Sequence, residues 1–488
     1  MKKKFSIFLI VGMITLTGGV LNSCSIEPSQ SNYKDNTKDP IKNKYDMLTS
    51  LNGSYARMTS ASYYGRDIIA FSECRSSYMY SDDRTGRFGV VSAFSLNPTF
   101  AYPRDTWKQI YMVISNTNRI LEAQVEDSPE VKNYRGQAYV IRALAHYDLL
   151  RLYGEQYVDG KGLNALGVPY KTSFKDIDEI LSRPNVGENM NAIFADLNQG
   201  IDLLKDAKLG NGDKHRINLA SAYGIKSRIA LFFGKYDKSK YDIVIESSLL
   251  AINSSNVKVM SRSSFLDAYK GDGIMSNSLF ELTQSGTDNK GNNSLYNIYV
   301  KKPDTGEGYG DLVWIEATKE NIFPTKKNNV RIDDIRSAVV DTLKKNDVYR
   351  NIGKYTSRSS NIRMLRIEEI MLNYVEAALY GASNADMAKA LDFFNQIVEE
   401  RVLEGGIPKV YSTLSISEYK DERVKELMFE GFAYEDIMRW ETKVNNPKLS
   451  ENPDIPVKTI QFGDKLTVFP IPQSEINVSK VEQNQAYK

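Results

Sequence analysis

The chain has 488 residues, 41% hydrophobic and 25% charged, with a formal net charge of +2. That length is ample for a sizeable buried core, and the even mix of signs excludes the one-sided basic surface of a nucleic-acid binder. It has two cysteines and two histidines, without a paired CxxC or an HExxH, so no metal site or cofactor is expected.

Lys2, Lys3 and Lys4 precede a short apolar stretch over residues 5–21, which closes on Leu21-Asn22-Ser23-Cys24. A segment this short, with these flanks, reads as an export signal over 1–23 rather than a membrane span. Its end resembles a bacterial lipoprotein box in which Cys24 becomes the lipidated first residue. Two or three acyl chains, at roughly 0.8 kcal/mol per methylene, would anchor it stably. Cys74 would then be the only thiol left, read as a small buried apolar residue. The polar segment 24–44, with Pro28 and Pro40, reads as a tether, and 45–488 as a single domain.

Apolar residues then recur at helical spacing. They predict helices over 107–121 and 134–153, separated by the turn Glu126-Asp127-Ser128-Pro129. Further helices are predicted over 186–204, 219–233, 241–252, 364–378, 385–402 and 417–440. Repeated helix pairs of this length resemble tetratricopeptide units stacked on a shared core. The fold expected is mainly α, with scaffold segments at 45–62, 104–270 and 362–488. Two loop-rich segments, 63–103 and 271–361, would face a ligand, and Leu279-Phe280-Glu281-Leu282 is a candidate strand.

Chemistry-bearing motifs are scarce. His146 lies within a helix and reads as a packing or hydrogen-bonding residue, and His215 as a solvated one. There is no GxSxG elbow and no phosphate loop. Glu368-Glu369 and Glu399-Glu400 read as salt-bridging or solvated helix residues. Asp82-Asp83 sits beside Tyr78, Tyr80 and Arg84, which reads first as plain surface and, as a site, suits hydrogen bonding to a sugar or peptide better than calcium.

Several motifs, in order, resemble those of the SusD/RagB family of nutrient-binding lipoproteins. Trp107-x-x-Ile110-Tyr111-x-x-Ile114-x-x-x-Asn118 is similar to one helix of that family. Arg142-Ala143, Tyr147, Leu149, Leu152-Tyr153-Gly154 and Gly167-Val168-Pro169 are similar to a second element. Leu365-Arg366, Glu369 and Tyr374-x-Glu376-Ala377 match a third. Glu422-Arg423, Glu426-Leu427, Phe429-Glu430-Gly431 and Arg439-Trp440 match a fourth, and the chain ends on Pro470-Ile471-Pro472 with Gln483-Asn484. The resemblance implies a SusD-like fold without catalysis and a TonB-dependent, SusC-like outer-membrane transporter as partner. It also implies an oligosaccharide ligand, with a peptide as the alternative. A surface glycan-degrading enzyme and a protein-binding helical scaffold remain as other readings.

Trp107 and Trp440 fall inside those motifs, whereas Trp314 falls in the irregular segment near Tyr309 and Asp311. The site expected is an aromatic platform of Trp314 and Tyr309, with Tyr80, Asp82, Asp83 and Arg84 supplying hydrogen bonds. The alternative is that Trp314 belongs to a satellite core under a loop.

Overall fold

A computed structural model describes residues 40–174, 182–210, 212–301, 307–324, 326–327, 330–331, 333–342, 348–403, 406, 409–451 and 459–488. The export signal, Cys24 and most of the tether lie outside the described residues.

Helix α1 (Lys44–Met58) begins where the Asn43 side chain accepts from the N–H groups of Tyr45 and Asp46, donors that a first turn leaves open. Helix α2 (Asp67–Cys74) is buried on every side, so no amphipathic period marks it in the sequence. Helices α3 (Ala101–Glu122) and α4 (Pro129–Tyr153) pack together as the first expected pair. Ser128 caps α4 by accepting from Val131 N–H, with Pro129 at the first helical position, as the turn signal predicted.

Helix α5 (Val186–Ala207) lies against α4, and helix α6 (Leu219–Gly234) pairs with α7 (Ser239–Asn253). Asn185 and Asn218 form capping boxes at the starts of α5 and α6. Helix α7 packs on α8 (Ile367–Leu379), which pairs in turn with α9 (Met387–Glu399). Successive pairs therefore share one core. Among the described residues no helix is long and apolar enough to cross a membrane.

Two expected helices differ. The span 417–440 divides into α10 (Ile416–Leu427) and α11 (Ala433–Arg439). Between them Phe429 and Gly431 take φ of +70° and +87°, values that end a right-handed helix. The apolar run from Met364 starts as a strand and becomes helical only at Ile367.

The strands connect the helical parts. β1 (Met79–Ser81), β3 (Leu312–Trp314), β5 (Tyr349–Asn351) and β4 (Val340–Thr342) form an antiparallel sheet in that order. β2 (Ser278–Leu282), the candidate strand, pairs with β6 (Ile362–Arg366). The two segments expected to be loop-rich thus hold α2 and all the strands of the four-stranded sheet.

Many charged motif positions are interior. Glu426 lies 2.8 Å from Arg401, 3.0 Å from Arg366 and 3.4 Å from Arg336. Glu368 pairs with Arg401 at 2.9 Å and with Arg366 at 3.1 Å, while Glu430 holds Lys354 and Arg366. Burial alone would raise the Glu426 pKa, but Arg401 and Arg366 outweigh it and keep the carboxyl well below the usual range. Glu368 and Glu369 are accordingly salt-bridging scaffold residues, the latter 2.6 Å from Arg228.

Candidate functional site

The four-stranded sheet decides where the expected site residues go. Met79 pairs with Trp314, and Trp314 with Tyr349, while Tyr80 pairs with Val313. Because side chains alternate along a strand, Met79, Trp314 and Tyr349 share one face. Tyr80, Val313 and Arg350 occupy the other.

Trp314 is 1% exposed. It stacks on Tyr78 with ring centroids 6.2 Å apart and meets Phe429 edge-on at 5.5 Å. Its Nε1–H has no partner among the described residues and borders a cavity of about 10 Å³, the scale of one water molecule. The expected platform is corrected in one respect: Trp314 offers no free ring face, and it lies across the sheet from Tyr80. It is a core residue, as the alternative held, but it belongs to the main hydrophobic core rather than to a satellite.

The opposite face carries a polar and aromatic cluster. Asp82 N–H donates to Asp311 O at 2.9 Å, continuing the ladder past β1. Arg84 pairs with the Asp82 carboxylate at 3.0 Å, and Arg350 lies 3.7 Å from the same oxygen. The buried Asp311 carboxylate accepts from Thr85 N–H at 3.0 Å and Thr85 Oγ1 at 2.5 Å. Burial raises the Asp311 pKa, while the Thr85 hydrogen bonds pull it back.

Arg87 Nη1 donates to Thr85 Oγ1 at 2.8 Å, and its guanidinium lies 3.7 Å over the Tyr309 ring. Tyr309 is held between Gly308 and Gly310, both at positive φ, by its N–H donating to Asn297 O. A side chain at Gly310 would meet Arg350 Nε at 2.8 Å, so only glycine fits there. Asp83 turns toward Gly89, whose missing Cβ leaves room for its carboxyl.

The structure therefore brings together Tyr309, Asp82 and Arg84, with Tyr80 on the same face, and separates Trp314 from them. Sequence reasoning noted Asp311 only as a neighbour of Trp314, and missed Thr85, Arg87 and Arg350. The available signal was the turn at Gly86 (φ +75°) between two arginines in a Tyr- and Asp-rich segment.

Other candidates are internal. A cavity of about 50 Å³ is lined by Arg151, Arg228, Arg423 and Arg439, with carboxylates opposite them. Arg423 pairs with Asp436 and Arg439 with Glu376, each at 2.7 Å, so the cavity is an ionic seam large enough for a few waters. Burial pushes the Cys74 thiol up to about 12, which removes it as a nucleophile. His146 is buried and stacked on Tyr170 at 3.7 Å. Its Nδ1 meets Arg142 O and its Nε2 accepts from Lys171 N–H; burial lowers its pKa to about 3, as suits a packing residue. No cluster of three metal-ligating side chains occurs among the described residues.

Residues 38–231 match a family model described as starch-binding, associating with outer membrane, and residues 315–487 match one described as the SusD family. SusD-like protein P38 of Formosa agariphila is 23% identical, over 90% of this chain and 92% of that protein. SusD-like protein P2 of the same organism is 27% identical over 42% of this chain, a match spanning 39% of that protein. A solved SusD superfamily protein of Bacteroides thetaiotaomicron shares the fold, with a TM-score of 0.78 at 23% identity over 91% of this chain and 99% of its own. Family models thus match both the amino-terminal and the carboxy-terminal half, in the order the motifs run, and the chain belongs to the SusD/RagB family.

Proposed function

We propose that the protein captures oligosaccharides at the outer membrane, without cleaving them, and delivers them to a TonB-dependent transporter. A lipid on Cys24 would hold it at the membrane, with the domain facing the cell surface. The observation that carries the reading is membership of a family described as starch-binding and associating with the outer membrane. The face bearing Tyr80, Asp82, Arg84 and Tyr309 supports it, because aromatic rings beside fixed donors and acceptors suit sugar rings and their hydroxyls. Glu376, Glu422 and Glu426 are buried and paired with arginines, so these motif carboxylates serve the core rather than the proposed face.

Calorimetric titration of the detergent-solubilised lipoprotein against panels of oligosaccharides and peptides tests this. Saturable binding of an oligosaccharide recovered intact is expected, with Tyr309→Ala weakening it severalfold and Cys24→Ala leaving the membrane fraction. Shorter products in the mixture would establish an enzyme instead, and binding confined to peptides would move the ligand class.

A further inference from the structure

Three arginines surround the proposed face, and they differ in how their charge is balanced. Arg84 lies 3.0 Å from Asp82. Arg350 is buried, 3.7 Å from the same carboxylate, and donates to Gly310 O. Arg87 has neither arrangement. Its hydrogen bonds go from Nη1 to Thr85 O and Thr85 Oγ1, both neutral acceptors, and its flat side rests on Tyr309. Among the described residues no carboxylate lies within ion-pairing distance of it, and its Nε and Nη2 have no protein acceptor. The Asp311 carboxylate, the acidic group whose charge Arg87 senses, is buried and engaged by Thr85.

A guanidinium keeps its charge at any working pH and presents its remaining donors in one plane. Here that plane is fixed twice, by the Tyr309 ring beneath it and by Thr85 at one edge, and Thr85 is itself fixed by Asp311. Such a half-buried, oriented fork, linked to the Asp311 carboxylate only through Thr85 and with Nε and Nη2 still to offer, fits an oxyanion through paired hydrogen bonds, and its orientation cost is already met. A neutral sugar hydroxyl would use one such donor without its charge, whereas an oxyanion uses both. We infer that this face selects acidic saccharides, carrying a carboxylate or a sulfate that Arg87 binds, with Thr85 as the residue that positions it. The inference rests on the capture reading above.

The test is calorimetry on the detergent-solubilised full chain with hexagalacturonate, a sulfated carrageenan hexasaccharide, maltohexaose and xylohexaose. An acidic hexasaccharide is expected to bind at least tenfold more tightly than either neutral one, with the preference shrinking as NaCl is raised. Arg87→Ala should abolish that preference and Arg87→Lys restore only part of it, because an ammonium lacks the planar fork. Thr85→Val should lower the preference and, because it takes a hydrogen bond from the buried Asp311 carboxylate, the thermal midpoint as well; Thr85→Ser, which keeps the hydroxyl, should restore both. The stronger of the two acidic ligands identifies the oxyanion. Tighter binding of the neutral sugars, or a preference untouched by Arg87→Ala, overturns the inference and leaves capture standing. No binding to any of the four overturns both.

Discussion

Trp314 shows how much a single backbone step decides. In the extended β3 strand, Trp314 points inward and its neighbour Val313 belongs to the face shared with Tyr80. Its place in the irregular segment, outside the scaffold motifs, suggested an exposed platform, and the residue is instead a wedge between Tyr78 and Phe429. Trp314→Ala is expected to destabilise the protein by about 3–5 kcal/mol, the usual cost of emptying a large aromatic site. A urea denaturation midpoint equal to that of the wild type would contradict this placement. Tyr309→Ala, by contrast, removes a half-buried ring and should act on ligand affinity more than on the midpoint. At this scale His146 was legible, since a histidine inside an apolar helix run is usually a satisfied packing residue. Arg87 was not, because its value depends on a tyrosine far along the chain.

Between elements, glycines separate close approach from mere presence. Helices α4 and α5 meet where Gly136 faces Gly200, and a Cβ on Gly136 would lie 2.9 Å from the Gly200 carbonyl oxygen and from Leu204 Cγ. Backbone cannot yield as a flexible side chain can, so Gly136→Ala is expected to cost about 1–3 kcal/mol. Gly53, inside α1, has only Asn116 Nδ2 at 3.8 Å from its would-be Cβ. Gly53→Ala should therefore stabilise by about 0.5–1 kcal/mol, through helix propensity. Chemical denaturation of the two variants should move the midpoint in opposite directions, and shifts of the same sign would refute the crossing geometry. Helix starts were readable because caps are local, as Ser128-Pro129 shows. The break between α10 and α11 was not, since Phe429 and Gly431 leave the helical region to seat Gly431 against Ile69 of a distant helix.

For the whole molecule, the buried ionic framework ties segments far apart in sequence. Glu426 faces Arg366, Arg401 and Arg336 at once. Glu426→Gln would remove the one carboxylate shared by three buried guanidinium groups, each of which keeps another acidic partner in Glu368, Glu430, Asp334 or Glu422, and is expected to cost about 1–3 kcal/mol. The drop should appear as a lower midpoint in calorimetric unfolding, and an unchanged midpoint would mean that the framework contributes nothing. Such a network does not exclude a hydrophobic replacement of equal stability, but it does specify which strand and helix meet.

The helix pairs, their caps and the motif order were determined by the sequence itself, because each depends on residues within a few turns of one another. Whether a charge is solvated or interior, and which face of the sheet a ring occupies, was decided by the tertiary structure. Glu426 and Arg366 are 60 residues apart, and no local pattern states that they meet. Tyr309 and Arg87 are further apart still, and their stack exists only because strands β1 and β3 pair. Burial and pairing are properties of the assembled chain, and the candidate site is made of both.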